Sequence, residues 1–292
     1  MTSIRLAALS NHDKVLNHLL SKTGIIAEAE DEDGRTALYW ASDQGHDKIV
    51  QMLLEGGADV NAEGGFYGYA LQAASASGYT KTSTLKGGGF GSALQAVSAT
   101  GHYNVVQMLL DAGADIEAQG GDYGSALHLA AGGGHDKVVQ MLLDKGAEIN
   151  AEGGYHNNAL LAAIGTSYYK IIQMLLDAGA DVNAQGGEYG NALQAASADG
   201  QQCTVQLLLD AGADVNAQGG EYGNALQAAS ADGHQDIVQL LLEDVNAQGG
   251  EYGNALQAAL AGGHEQVAQM LFERGADATR KRRRLQNSER GP

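Results

Sequence analysis

Six histidines, His12, His46, His102, His135, His234 and His264, recur along the chain, and imidazole is a common metal ligand. A metal centre needs ligands that converge within a few ångströms. These histidines lie a whole repeat or more apart, each at the start of an apolar run, so a structural role is expected for them. The 35 acidic residues could supply paired carboxylates for acid–base chemistry, but they too recur at a fixed period and do not cluster as a pair. Gly87-Gly88-Gly89-Phe90-Gly91-Ser92 has the glycine content of a phosphate loop and lacks the Gly-Lys-Ser/Thr ending that grips a nucleotide. It aligns with Gly219-Gly220-Glu221-Tyr222-Gly223-Asn224, an ordinary turn tip of this chain. Cys203 stands where the following repeat has Asp236, with no histidine beside it and no general base in view. Trp40 falls on the inward face of a helix and reads as core. The expectation is therefore no catalytic residue, no metal, no cofactor and no small-molecule substrate.

The formal charge is −18, unevenly spread. Residues 280–292 hold six basic residues and one acidic residue, leaving 11 basic against 34 acidic in the rest, a net of −23. So acidic a body repels nucleic acid and anionic membranes. A single cysteine permits no internal disulfide and suits a reducing compartment, so an intracellular location, cytoplasmic or nuclear, is expected. No stretch approaches the roughly 18 apolar residues of a membrane span, and neither a span nor a signal peptide is expected.

The elements that carry these side chains follow from self-similarity. An Ala-Leu pair recurs with its leucine at Leu38, Leu71, Leu94, Leu127, Leu160, Leu193, Leu226 and Leu256. Most steps are 33 residues, while Leu71 to Leu94 is 23 and Leu226 to Leu256 is 30. An N-terminal match, Asn11-His12-Asp13-Lys14 to Gly45-His46-Asp47-Lys48, brings the count to about nine units. Residues 224–250 show the grammar. Asn224 is a good N-cap, Ala225–Ala231 an Ala-rich helix, and Asp232-Gly233 a break. A second helix is expected over His234–Glu243, with Ile237, Val238, Leu240, Leu241 and Leu242 on a wide apolar face. Full-length units stop at Gly57, Gly113, Gly146, Gly179 or Gly212, the left-handed position past a helix end. Asp-Val-Asn-Ala then reads as a short extended piece before a Gly-Gly turn. One hairpin cannot bury its apolar face alone, and stacked hairpins share a continuous core.

Gly212-Ala213-Asp214-Val215-Asn216-Ala217, Ala225-Leu226, Gly233-His234 and the run 31–61 resemble the ankyrin repeat over roughly residues 3–279. The resemblance implies an all-α ankyrin-repeat solenoid of helix-turn-helix units with short hairpin-like loops. The array is expected at 1–279, with a truncated unit at 70–91, and a basic disordered tail at 280–292. The Gly-Gly-Glu-Tyr-Gly-Asn-Ala-Leu-Gln variant is similar to repeats of large fungal proteins with ankyrin tails. Where the family usually has Thr-Pro-Leu-His, this chain has Asn-Ala-Leu-Gln, Ser-Ala-Leu-His or Thr-Ala-Leu-Tyr. Asn, Ser or Thr can still cap, and Gln can still hydrogen-bond. Tyr222 occupies the usual turn glycine and Gly223 follows it, so an altered tip is expected.

Two flaws interrupt the array. At 70–91 a first helix, Ala70–Ser77, is followed by Tyr79–Lys86, rich in Thr and Ser, and by Gly87-Gly88-Gly89 in place of a second helix. A weak point is expected there, cut first by protease between Tyr79 and Phe90, with poor support for the first two units. The three-residue deletion at Glu243-Asp244 should shorten or tilt its connection.

In the family, partners usually dock on fingertips and on the exposed side of first helices. Here those positions are Glu188, Tyr189, Asp199, Glu221, Tyr222, Asp232, Glu251 and Tyr252, with Asp122, Tyr123 and Asp43 earlier in the chain. The bland alternative is that the carboxylates keep the surface soluble and each tyrosine packs on the next finger. As a set they form a strip suited to a protein partner with a basic surface. Leu175–Gly200 is identical to Leu208–Gly233, exposed positions included, which fits a periodic face binding by avidity. Arg280, Lys281, Arg282, Arg283 and Arg284 read as a nuclear-import signal, a solvated end or a contact for an acidic surface. The function expected is a protein-interaction scaffold or adaptor. The rival is a sensor or regulatory arm related to larger signalling ATPases without its own ATPase, and an independent enzyme stands third.

Overall fold

The computed structural model describes residues 3–22, 30–31, 34–62, 92–118, 124–242 and 245–277. Sixteen helices pair into eight hairpins among these residues. The chain divides into two compact units, Met1–Ala180 and Asp181–Pro292.

The first unit contains α1 (Ser3–Leu9), α2 (Asp13–Leu20), α3 (Ala37–Asp43), α4 (Asp47–Glu55), α5 (Ala93–Thr100), α6 (Tyr103–Asp111), α7 (Ala126–Gly133), α8 (Asp136–Asp144), α9 (Ala159–Gly165) and α10 (Tyr169–Asp177). The second contains a two-stranded ribbon of β1 (Gln185–Gly186) and β2 (Gly190–Asn191), then α11 (Ala192–Ala198), α12 (Gln202–Asp210), α13 (Ala225–Ala231), α14 (Gln235–Leu240), α15 (Ala255–Ala261) and α16 (Glu265–Glu273). Within each unit, first helices pack on first helices and second helices on second helices.

The local chemistry sets each boundary. First helices open on Thr36, Ser92, Asn158, Asn191, Asn224 or Asn254, whose side-chain oxygen accepts from the backbone N–H three residues on. The nine-residue second helices end in a left-handed glycine. At Gly57, Gly113, Gly146, Gly179 and Gly212 φ lies between 85° and 96°, and the next residue reaches back to the helix, as Ala213 N–H does to Leu208 O at 2.9 Å. The core is a row of alanines on the first helices and of branched side chains on the second. Val205, Leu208, Val238 and Leu241 are fully buried, each contributing about 1.5–3 kcal/mol by leaving water.

Three expectations change. The second helix expected over His234–Glu243 ends at Leu240, and α14 has six residues where α12 and α16 have nine. The connection after it is three residues short, so the chain leaves the helix a turn early to reach its loop. Asp-Val-Asn-Ala is a turn rather than an extended piece. Ala184 and Ala217 N–H donate to Asp181 and Asp214 O at 3.2 Å, while the same aspartates accept from Asn183 and Asn216 N–H at 2.9 Å through their side chains. A short carboxylate that hydrogen-bonds the chain two residues on favours a turn over a strand. The truncated unit 70–91 and Glu243-Asp244 lie outside the described residues, but the first two hairpins are not poorly supported. Helix α3 packs on α5, and α4 on α6. Asn61 Nδ2 donates to Gly113 O at 3.3 Å and its Oδ1 accepts from Asp115 N–H at 2.7 Å, the bonds that Asn183 makes to Gly212 and Asp214.

Candidate functional site

The fingertips of the second unit are built on close backbone approach. In the first finger β1 and β2 pair Gln185 with Asn191 and Gly186 with Gly190. Gly219–Gly223 and Gly249–Gly253 make the same bridge in the next two fingers. A Cβ on Gly220 would overlap the Tyr189 carbonyl, and one on Gly250 would overlap that of Tyr222. Both glycines have φ near 60°, so the tip needs glycine for its conformation and for its neighbour. Glu251 N–H also donates to Glu221 O at 3.1 Å, joining one tip to the next.

The first helix holds the next finger through a buried glutamine. Gln194 Nε2 donates to Ala217, Gly219 and Gly223 carbonyls at 3.1–3.2 Å. Gln227 Nε2 does the same to Ala247 at 3.0 Å. Both side chains are fully buried, so these bonds replace water that cannot reach them.

This scaffold sets three tyrosines in a row. Tyr189 and Tyr222 have ring centroids 6.2 Å apart at an interplanar angle of 12°, and Tyr222 and Tyr252 repeat the 6.2 Å spacing at 23°. Finger-to-finger packing is carried here by tyrosine. Each ring is half-buried, while Glu188, Glu221 and Glu251 beside them are exposed. Tyr222 has a ring on either side, and its hydroxyl is pushed up to about 12, first by burial, then by Asp232 and the neighbouring tyrosines and Glu221. Asp199 is held above the ordinary carboxylate value, first by burial and then by the charge of Asp232, against a hydrogen bond from Gln201 and the charge of His234. Tyr189, Tyr222, Tyr252, Asp199, Asp232 and Glu221 are thus one electrostatically linked group in this unit.

Asp43 belongs to the first unit, where it accepts from Gln44 Nε2 at 2.7 Å. Asp122, Tyr123 and the run Arg280 to Arg284 lie outside the described residues. The first unit carries a cluster that sequence reasoning missed. Trp40 is half-buried against Tyr39, Ala96 and Leu129, and its Nε1–H donates to Asp31 Oδ2 at 3.0 Å. Arg35 pairs with Asp31 at 3.2 Å and lays its guanidinium 4.5 Å from the Trp40 ring centroid, while buried Arg5 approaches Asp31 at 3.7 Å. Trp40 is core on one face and a polar anchor on the other. The visible signal was a lone Trp five residues after an Arg that itself follows an Asp by four.

Among the described residues, no group of three or more His, Cys, Asp or Glu side chains could hold a metal ion, and no helix is long and apolar enough to cross a membrane. Cys203 is exposed. His135 and His234 spend Nε2 on Ala99 and Ala198 carbonyls of the preceding hairpin, both at 2.9 Å.

A sequence model of ankyrin repeats, in its three-copy form, matches residues 1–64, 92–186 and 192–282. The chain belongs to the ankyrin-repeat family. The fold agrees: the crystal structure of the human ASB11 ankyrin repeat domain superposes with a TM-score of 0.66 at 22% identity, covering 82% of this chain and 97% of that one. A palmitoyltransferase, akr1, of Schizosaccharomyces pombe is 45% identical over 65 residues, 22% of this chain and 10% of its own length. An acyl-CoA-binding domain-containing protein 6 homolog of Dictyostelium discoideum is 40% identical over 53 residues, 18% of each. The chain therefore spans under a fifth of either curated relative, and each likeness is to a stretch of ankyrin repeats. Ankyrin repeats form protein-interaction modules, and the fold is generally a non-enzymatic one.

Proposed function

We infer that this ankyrin array is a scaffold or adaptor that docks a basic protein segment on the fingertips and first-helix ends of the second unit. The observation that carries the reading is the stacked row Tyr189–Tyr222–Tyr252 with Asp232 and Glu221 acting on its central member. Tyrosine offers a large, stiff contact area at low entropic cost, and carboxylates at its rim attract lysine and arginine and speed encounter. Identical fingers over Leu175–Gly200 and Leu208–Gly233 would let a partner with repeated basic groups bind by avidity. The stacking also satisfies the bland role of finger-to-finger packing, so a binding measurement has to separate the two.

The test is a titration of a labelled Lys/Arg-rich peptide, read by fluorescence anisotropy. The triple variant Glu188→Lys, Glu221→Lys, Glu251→Lys should weaken binding about tenfold or more while leaving the fold unchanged. Equal affinity for both proteins overturns the reading. Affinity capture with the same pair of proteins would then identify the natural partner.

A further inference from the structure

Within each unit, neighbouring hairpins meet through the same positions. On the trailing side, the sixth residue of the first helix is sealed: Ser42, Ser98, Ala131, Ser197 and Ser230 are all 0% exposed. On the leading side, the second helix presents Ile49, Val105, Val138 or Val267, at most 1% exposed. The two end hairpins break this pattern in opposite senses. Val15 of α2 stands in the place of Ile49 and is 50% exposed. Leu260 of α15 stands in the place of Ser230 and is 55% exposed, and Phe272 of α16 is 67% exposed.

Polar groups match as well. Between internal hairpins, a histidine ring fills the space over a left-handed glycine of its neighbour, as His135 does at Gly101 and His264 at Gly233. After α15 the corresponding Gly263 has nothing within 4 Å of where a Cβ would sit, and His12, the histidine of the first hairpin, is exposed. Lys48 pairs with Asp13, and Lys170 with Asp136, across two adjacent second helices. Exposed Lys14 and exposed Glu265 occupy those two places on the end hairpins. Lys145 pairs with Asp111 at 3.1 Å, and Lys22 and Glu273 occupy the places of that pair.

We propose that copies of this chain associate head to tail, with the α1–α2 face of one copy seated on the α15–α16 face of the next. Leu260 packs against α1 and Phe272 against Val15 of α2 in the next copy, His12 fills the space over Gly263, and Lys14 and Lys22 pair with Glu265 and Glu273. The occupant is a second copy because its first hairpin carries the complement of each exposed feature. Such a contact joins unlike faces, so it extends beyond a dimer unless a ring closes.

Sedimentation equilibrium of the 292-residue chain should give a mass above 30.2 kDa that rises with concentration without a plateau at the dimer. Leu260→Ser installs the residue that internal hairpins carry, so the fold, checked by circular dichroism, should persist while association weakens about tenfold or more. Lys14→Glu and Glu265→Lys should each weaken it about fivefold, and the double variant should recover the native strength. A monomer at every concentration overturns the proposal. So does association that Leu260→Ser leaves unchanged, or a double variant weaker than both singles. Association that emerges only on removing residues 278–292 overturns it too, by making the tail the occupant.

Discussion

In the Met1–Ala180 unit the finger before α3 is tied down by charge, with Asp31 gripping Arg35, Arg5 and the Trp40 indole. In the Asp181–Pro292 unit the fingers are tied by shape, through glycine against carbonyl, glutamine against loop and tyrosine against tyrosine. The hairpins beneath share caps, glycine stops and Asn rungs. The difference teaches that the stacking rules leave the finger free. A charged cluster gives a unique local surface, whereas a shape-based finger can be copied whole, as residues 175–200 are at 208–233.

The sharpest way to break this comparison is to remove the charge that one finger depends on. Asp31→Ala leaves buried Arg5 without that carboxylate and should cost about 3–4 kcal/mol. Trp40, the only tryptophan, reports the loss in a denaturant titration. A cost under about 1 kcal/mol would mean the cluster is ornamental. The shape-based fingers predict the next effect. Gly220→Ala should cost about 2–3 kcal/mol, because its Cβ meets a neighbouring backbone that cannot yield. Gly57→Ala, equally left-handed but in open space, should cost only about 1–2 kcal/mol. If the two cost the same, finger-to-finger contact is not what demands glycine.

Smaller still is the test of what both units share. Asn61→Ala and Asn183→Ala should each lose about 1–2 kcal/mol, since each removes one rung between adjacent hairpins. A near-zero value for Asn61 would make its junction the weak one after all. The smallest effect belongs to Asp199. Its raised pKa means the folded chain holds that proton more tightly than the unfolded chain, so its ionisation destabilises as pH rises past the ordinary value of 3.8. Asp199→Asn should therefore stabilise at neutral pH by no more than about 0.5 kcal/mol, given solvent screening, and the gain should vanish in acid. A thermal melt series across pH reads this directly.

The repeat period, the caps and the left-handed stops were legible in the sequence because each is a local rule: Asn before Ala-Leu, Gly after a leucine run. Ala225–Ala231 has the bounds expected of it. What depended on a neighbour was not legible. Nothing in Asn-Ala-Leu-Gln says that glutamine would be spent on the next finger's carbonyls, or that α14 would surrender a turn to a short connection. The tyrosines recur visibly, but their stacking is a property of the spacing between hairpins. Asp31, Arg35 and Trp40 are close in sequence, yet Arg5 joins them only through packing of α1 on α3.

The tyrosine row sets a ruler. Alternate side chains of an extended chain are about 6.6 Å apart, close to the 6.2 Å from ring to ring. A linear segment laid along the fingers would meet one ring with every second residue, so its recognition code would be read in dipeptide steps.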